Sequence, residues 1–247
     1  MPISLLTYRI DPYLPYGNSV SEFKQTRSDW LRTTINALYN QNKGRLKSEG
    51  IQTDLFHDHD ENTGKQIVRY PLIIYHVIGN EFYITGINVG KNAVEELIRP
   101  YDRPVEVNKD LMIRFDLFRE EEIEIKNTRS KQKYILTDWL PFSSGSFKLY
   151  AEKPTLIEKI KFLEERLQIH IVKDLGKFLG FDLSKTRVSI LEVDDFKRPR
   201  IHLRVNRFRH DFQPFTILFE ANVIFPDFIT LGNGKAFGYG RINKISP

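Results

Sequence analysis

The amino-acid sequence predicts an α+β protein of two tandem ferredoxin-like (RRM-like) domains, and three observations predict it. Apolar periodicity alternates between strand and helix in the order βαββαβ over the first half of the chain. The same order returns in the second half with a shrunken second helix. A glycine-rich loop, "LGNGKAFGYGRI", then precedes the last strand.

In the first half, "ISLLTYRI" at 3–10 reads as a strand, and residues 18–42 read as a helix with Leu31, Ile35 and Leu38 on one face, capped by Asn18 or Ser19. A polar loop leads to "IVRYPLIIYHVI" and "FYITGINV", two strands joined through "GNE" as a hairpin. "KNAVEELIRP" is a short helix stopped by Pro100, and "LMIRFDLF" with "EIEI" returns to strand. The polar, basic stretch "KNTRSKQK" at 126–133 reads as a linker, which sets the expected domains at residues 1–128 and 129–247.

In the second half "YILTDWLPF" is extended, and residues 155–181 form a long helix with apolar residues at 156, 160, 163, 167, 171, 175 and 178. "RVSILEV", "RIHLRV" and "FTILFEANVIF" supply three strands, "PDFITLG" one helical turn opened by Pro226, and "RINKI" the last strand.

Composition narrows the chemistry. The 247 residues carry 37 Lys and Arg against 32 Asp and Glu, a net charge of +5 that suits a nucleic-acid partner without requiring one. With no cysteine, the chain lacks disulfides, thiolate zinc sites and cysteine nucleophiles, and the reducing cytoplasm is the expected compartment. No signal peptide or membrane-spanning run is read.

Glycines 232, 234, 238 and 240 allow positive φ and let backbone N–H groups crowd toward a phosphate. The Walker and dinucleotide patterns both fail: Ala236 follows Gly234-Lys235 where Ser or Thr is needed, and Phe237 stands where the third dinucleotide glycine belongs. A plain turn before the last strand is the bland alternative. Lys235 and Arg241 bracket the loop with positive charge.

Two other stretches could carry chemistry. "FHDHDENTG" at 56–64 places His57 and His59 two residues apart in a loop. They read as a zinc-chelating pair lacking further ligands, as solvated loop residues, or as an acid/base pair titrating near neutrality. "KRPRIHLRVNRFRH" at 197–210 holds six basic residues and no acid. On a strand, Arg200, His202 and Arg204 share one face; with Arg207 and Arg209 they read either as a backbone-binding surface for RNA or as an ordinary solvated face.

Tandem ferredoxin-like halves ending in "PDFITLGNGKAFGYGRI", with "FHDH" ahead of "YPLIIYHV" and "YILTDWLPF" ahead of "LIEKIKFLEERL", resemble the CRISPR-associated repeat-processing endoribonucleases of the RAMP superfamily, in the branch called Cas-six-b. The resemblance implies a metal-independent endoribonuclease that cuts precursor CRISPR RNA within each repeat, without a cofactor. It leaves a 5'-hydroxyl and a 2',3'-cyclic phosphate or 3'-phosphate. His57 and His59 match the paired histidines of that branch, Tyr70 and Lys43 are the nearest matches to its assisting tyrosine and lysine, and the glycine loop and basic strand would meet the RNA backbone. The glycine loop is shorter than the family's and lacks its central serine. Besides repeat RNA, the implied partners are effector-complex subunits and a second copy of the chain. A noncatalytic RNA-binding subunit of the same superfamily is the competing reading, and a zinc hydrolase a more distant one.

Overall fold

A computed structural model describes residues 2–13, 27–56, 63, 69–194, 200–205 and 208–245. They divide into two compact units, Pro2–Ile123 and Glu124 onward.

The first unit is a five-stranded antiparallel sheet in the order β2-β3-β1-β5-β4. Its strands are β1 (Ile3–Tyr13), β2 (Ile73–Ile78), β3 (Glu81–Ile87), β4 (Val105–Asn108) and β5 (Leu111–Ile123), with helices α1 (Arg27–Ser48) and α2 (Val89–Ile98). Without the edge strand β4, the order is that of a ferredoxin-like sheet: β1 lies centrally between β3 and β5, and each half of the βαββαβ chain crosses over a helix to reach its partner. The spacing read from the sequence holds, since Leu31, Ile35 and Leu38 are fully buried against Ala93, Val94 and Leu97 of α2. The expected helix start at residues 18–26 lies outside the described residues. Asn88 makes the β3-to-α2 turn with a φ of 52° and is tied to β1 through Ser4, whose backbone N–H donates to its side chain at 3.1 Å.

The stretch 126–133 is not a linker. It opens β6 (Lys126–Trp139), paired along its length with β10 (Phe215–Ile224) from Ile224 opposite Lys126 to Phe215 opposite Trp139. A polar run can form a strand because the ladder is made by backbone groups. Here Asn127 adds side-chain bonds to the Thr186 hydroxyl (3.1 Å) and the Asn222 carbonyl (3.3 Å). The boundary between units therefore falls at 123/124 rather than 128/129.

The second unit has a four-stranded antiparallel sheet in the order β11-β6-β10-β7, with β7 at Val188–Val193 and β11 at Arg241–Lys244. This repeats the ferredoxin-like order. β10 alternates strictly, burying Phe215, Ile217, Phe219, Ala221 and Val223. "RIHLRV" does not join this sheet: β8 (Ile201–Val205) pairs with β9 (Phe208–Phe212) as a separate hairpin.

Helical structure differs from expectation in three places. Ser144–Ala151 forms an additional helix, α3, started by a capping box between Ser143 and Ser146. The long helix is divided into α4 (Leu156–His170), capped reciprocally by Thr155 and Glu158, and a π-helix at Ile171–Lys177. Leu163, Leu167, Ile171 and Leu175 are buried as expected, but Leu156 at the start is 61% exposed and Phe178 beyond the π turn is 41% exposed. A π turn inserts an extra residue per turn, so the apolar stripe loses register after it. The helical turn expected from Pro226 is absent; Phe228 at a φ of 63° leaves the helical region, and a 3-10 turn occurs later, at Lys235–Phe237. No described helix is long and apolar enough to cross a membrane.

Candidate functional site

Between β10 and β11, where a ferredoxin-like repeat carries its second helix, the chain instead makes the glycine loop. Gly232, Gly234, Gly238 and Gly240 have φ of +90°, +68°, +76° and +70°. At Gly240 a side chain is impossible as well as strained, because a Cβ would lie 2.0 Å from the Leu231 carbonyl oxygen. The loop's amides do not stand open to a phosphate at the positions where their partners are seen. The Asn233 amide donates to the Leu140 carbonyl (3.0 Å), Phe237 to Gly234 (2.9 Å), Gly238 to Lys235 (3.0 Å) and Gly240 to Asp138 (3.1 Å). The glycines fold the loop back onto β6.

Lys235 is likewise turned inward. Its ammonium donates to the Asp174 carboxylate at 3.1 Å and the Gly232 carbonyl at 2.8 Å, and Asp174 also accepts the Gly232 amide at 3.3 Å. Asp174 is 7% exposed and sits on the π-helix. Sequence reasoning missed this carboxylate, although an acid at 174, between apolar 171 and 175, was a visible interruption of the buried face. It also missed the neighbouring pair in which Trp139 Nε1 donates to His170 Nδ1 at 3.2 Å. Burial, then the charges of Lys235, Arg166 and Lys173, push the His170 imidazole down to about 3 from an ordinary 6.5, so it folds as the neutral acceptor.

The basic hairpin meets this loop. Leu203 of β8 is buried, and its Cδ1 lies 3.0 Å from where a Gly234 Cβ would stand, beside the Tyr239 ring at 2.9 Å. Cross-strand register sets His202 opposite Asp211 and the backbone of Arg204 opposite that of Arg209. Arg200 is exposed just before β8. His202 Nδ1 is 2.6 Å from the Asp211 carboxylate, an acid just past the window read as wholly basic. Arg207 lies outside the described residues. Arg241 begins β11 opposite Thr137 and is partly buried.

In the first unit, His57 and His59 lie outside the described residues, but both ends of the segment holding them are fixed. Before it, Phe56 is 1% exposed, stacks on Tyr39 at 4.9 Å and accepts the Tyr75 hydroxyl at 3.3 Å through its carbonyl. Across it, Arg69 and Asp54 form an ion pair at 3.0 Å. Lys43, one turn after Tyr39 on α1, holds its ammonium 6.0 Å from the Tyr39 ring centre, so this cation stands near the anchor at Phe56. Tyr70, the nearest match to the assisting tyrosine, is buried at 1% exposure.

Residues 31–128 match the family model described as the Cas6b N-terminal domain. A solved structure titled as that of Cas6b shares 17% identity, with 99% of this chain and 100% of that chain covered at a TM-score of 0.70. A second, titled as the CRISPR RNA processing endoribonuclease Cas6b, shares 18% identity over 98% and 100% at 0.60. A third, Csf5, titled as a type IV Cas6 crRNA endonuclease, shares 13% over all of both chains at 0.61. No curated protein sequence matches the chain. The tandem ferredoxin-like architecture is thus shared with these solved structures.

Two predictions test the buried cluster of the second unit. Lys235→Ala strands the Asp174 carboxylate and should cost about 2 kcal/mol in urea unfolding, less than a fully buried pair because both groups keep some solvent contact. Adding Asp174→Asn to it should recover part of that loss. For His170 the folded value lies below the unfolded one, so its contribution is complete above about pH 6.5 and is lost as pH falls below it. The melting temperature of His170→Gln should accordingly fall less than that of the parent protein between pH 7 and pH 4.

Proposed function

We propose that this chain cleaves precursor CRISPR RNA within its repeats, without a metal. The observation that carries the reading is the match of residues 31–128 to the Cas6b N-terminal domain, because the matched span contains the "FHDH" histidine pair. The likeness over the whole chain to a CRISPR RNA processing endoribonuclease and a crRNA endonuclease supports it.

In the proposed reaction His59 takes the proton from the 2'-hydroxyl upstream of the cut, and the 2'-oxygen attacks the adjacent phosphorus. His57 gives a proton to the departing 5'-oxygen. The bond to that oxygen breaks, leaving a 5'-hydroxyl and a 2',3'-cyclic phosphate, which water can open to the 3'-phosphate. Charge on the phosphorane would be met by Lys43, or by Lys47 one turn further along α1. The RNA backbone would be met by Arg200, Arg204, Arg207 and Arg209 of the basic stretch. Asp211 offsets part of that charge, so the arginines provide most of the attraction. The glycine loop holds the hairpin in place through Leu203 and Tyr239, and its role toward RNA is support.

Labelled repeat RNA should be cut in EDTA. His57→Ala and His59→Ala should each slow cleavage by about 100-fold or more with RNA affinity nearly unchanged. An RNA with a single 2'-deoxy nucleotide upstream of the cut should bind and stay whole. Its cleavage would falsify the internal nucleophile, and full activity of the double histidine variant would leave the noncatalytic RNA-binding subunit as the better reading. Separately, Arg204→Ala and Arg207→Ala should weaken binding across RNA sequences and each lower the salt slope by about one. An unchanged slope in both would remove the hairpin from the interface.

A further inference from the structure

The second unit contains a cleft remote in sequence from the histidine pair. It has a volume of about 340 Å³ and lies between α3, the start of α4 and the chain that leaves the basic hairpin at Gln213. Buried Tyr150 and Phe215 form its inner wall, edge to face at 5.6 Å, and half-buried Phe147 lies 6.0 Å from Tyr150. Besides Tyr150, its lining residues with polar side chains are Lys159, whose ammonium is 5.8 Å from the Tyr150 ring centre, and Gln213. Leu156, at the lip, is 61% exposed, and Ile157 next to it is 68% exposed.

We propose that this cleft holds an unpaired base of a bound RNA strand. The proposal rests on the RNA-binding reading above and adds a subsite to it. Three observations choose a nucleobase as the occupant. Aromatic walls offer π faces and edges to any base, and a volume near the lower end of the usual range for small-molecule sites, about 300–1,000 Å³, suits flat rings rather than a folded partner. The charge at the cleft is positive: Lys159 lines it, Lys153 stands 5.4 Å from the ring centre of adjacent Phe162, and exposed Glu152 is paired with Lys148 at 3.9 Å. A phosphate next to a seated base would meet Lys159. Finally, Gln213 follows directly on β9, so a strand tracking the hairpin arginines reaches the cleft within the same unit. The Gln213 amide can meet either a donor or an acceptor on a base edge, so the site should prefer single strands without selecting sequence.

A uridine-rich single-stranded RNA carrying 5-iodouridine tests the subsite by photocrosslinking with peptide mapping. Wild-type protein should crosslink at Phe147 or Tyr150. Ala151→Trp, which fills the cleft from an exposed position, should abolish that crosslink and weaken single-strand binding about tenfold. Leu156→Glu should weaken binding as well. A carboxylate in the first turn of α4 favours the helix, so an unchanged thermal melt would exclude unfolding as the cause. Crosslinks confined to the hairpin, with unchanged affinity in both variants, would overturn the subsite while repeat cleavage by the wild type kept the proposed function intact. A wild-type protein that binds no RNA would overturn both. A change in sedimentation of the RNA-free protein on Ala151→Trp, without loss of RNA affinity, would make the cleft a self-association surface and overturn it too.

Discussion

The Asp174 carboxylate holds the second unit's unusual connection together. A ferredoxin-like repeat normally delivers its last strand by a helix that packs on the sheet, and here no helix does so. The chain from Ile224 to Arg241 is fixed instead by a buried acid that accepts the Gly232 amide and the Lys235 ammonium. Lys235 completes the clasp by donating to Gly232 from within the loop. A buried carboxylate is stable only with such partners, so the loop's conformation and the ionisation of Asp174 support each other. The π turn contributes by setting residue 174 on the stripe that the apolar residues occupy.

That arrangement determines where positive charge remains for a ligand. Lys235 is occupied within the fold, and several loop amides bond to β6 or to each other. What the loop offers is shape: with no Cβ at Gly234, Leu203 and Tyr239 approach closely, which seats the hairpin beside the loop. The backbone of the hairpin, with position 204 opposite position 209, is thereby anchored beside the loop.

The first unit uses the same strategy around its histidine segment. Phe56, Tyr39 and Tyr75 form an aromatic anchor on one side, and Arg69 with Asp54 draws the far end back to it.

Periodicity in the sequence determined the βαββαβ order of the first unit, the long helix and most strands of the second, and the buried face of α1, because each depends on spacing within one element. The unusual residue types were legible too: the histidine pair, the basic stretch and the glycine cluster. Tertiary structure alone decided what those residues touch. Polar residues 126–133 became a strand because β10 supplied a backbone ladder, and Ser143 with Ser146 began an additional helix. Tyr70 went into the core, and Lys235 turned to an acid 61 positions away in the chain. Those outcomes are set by partners distant in sequence, and local spacing carries no record of which distant group will be there to satisfy a backbone amide, a charge or a cavity.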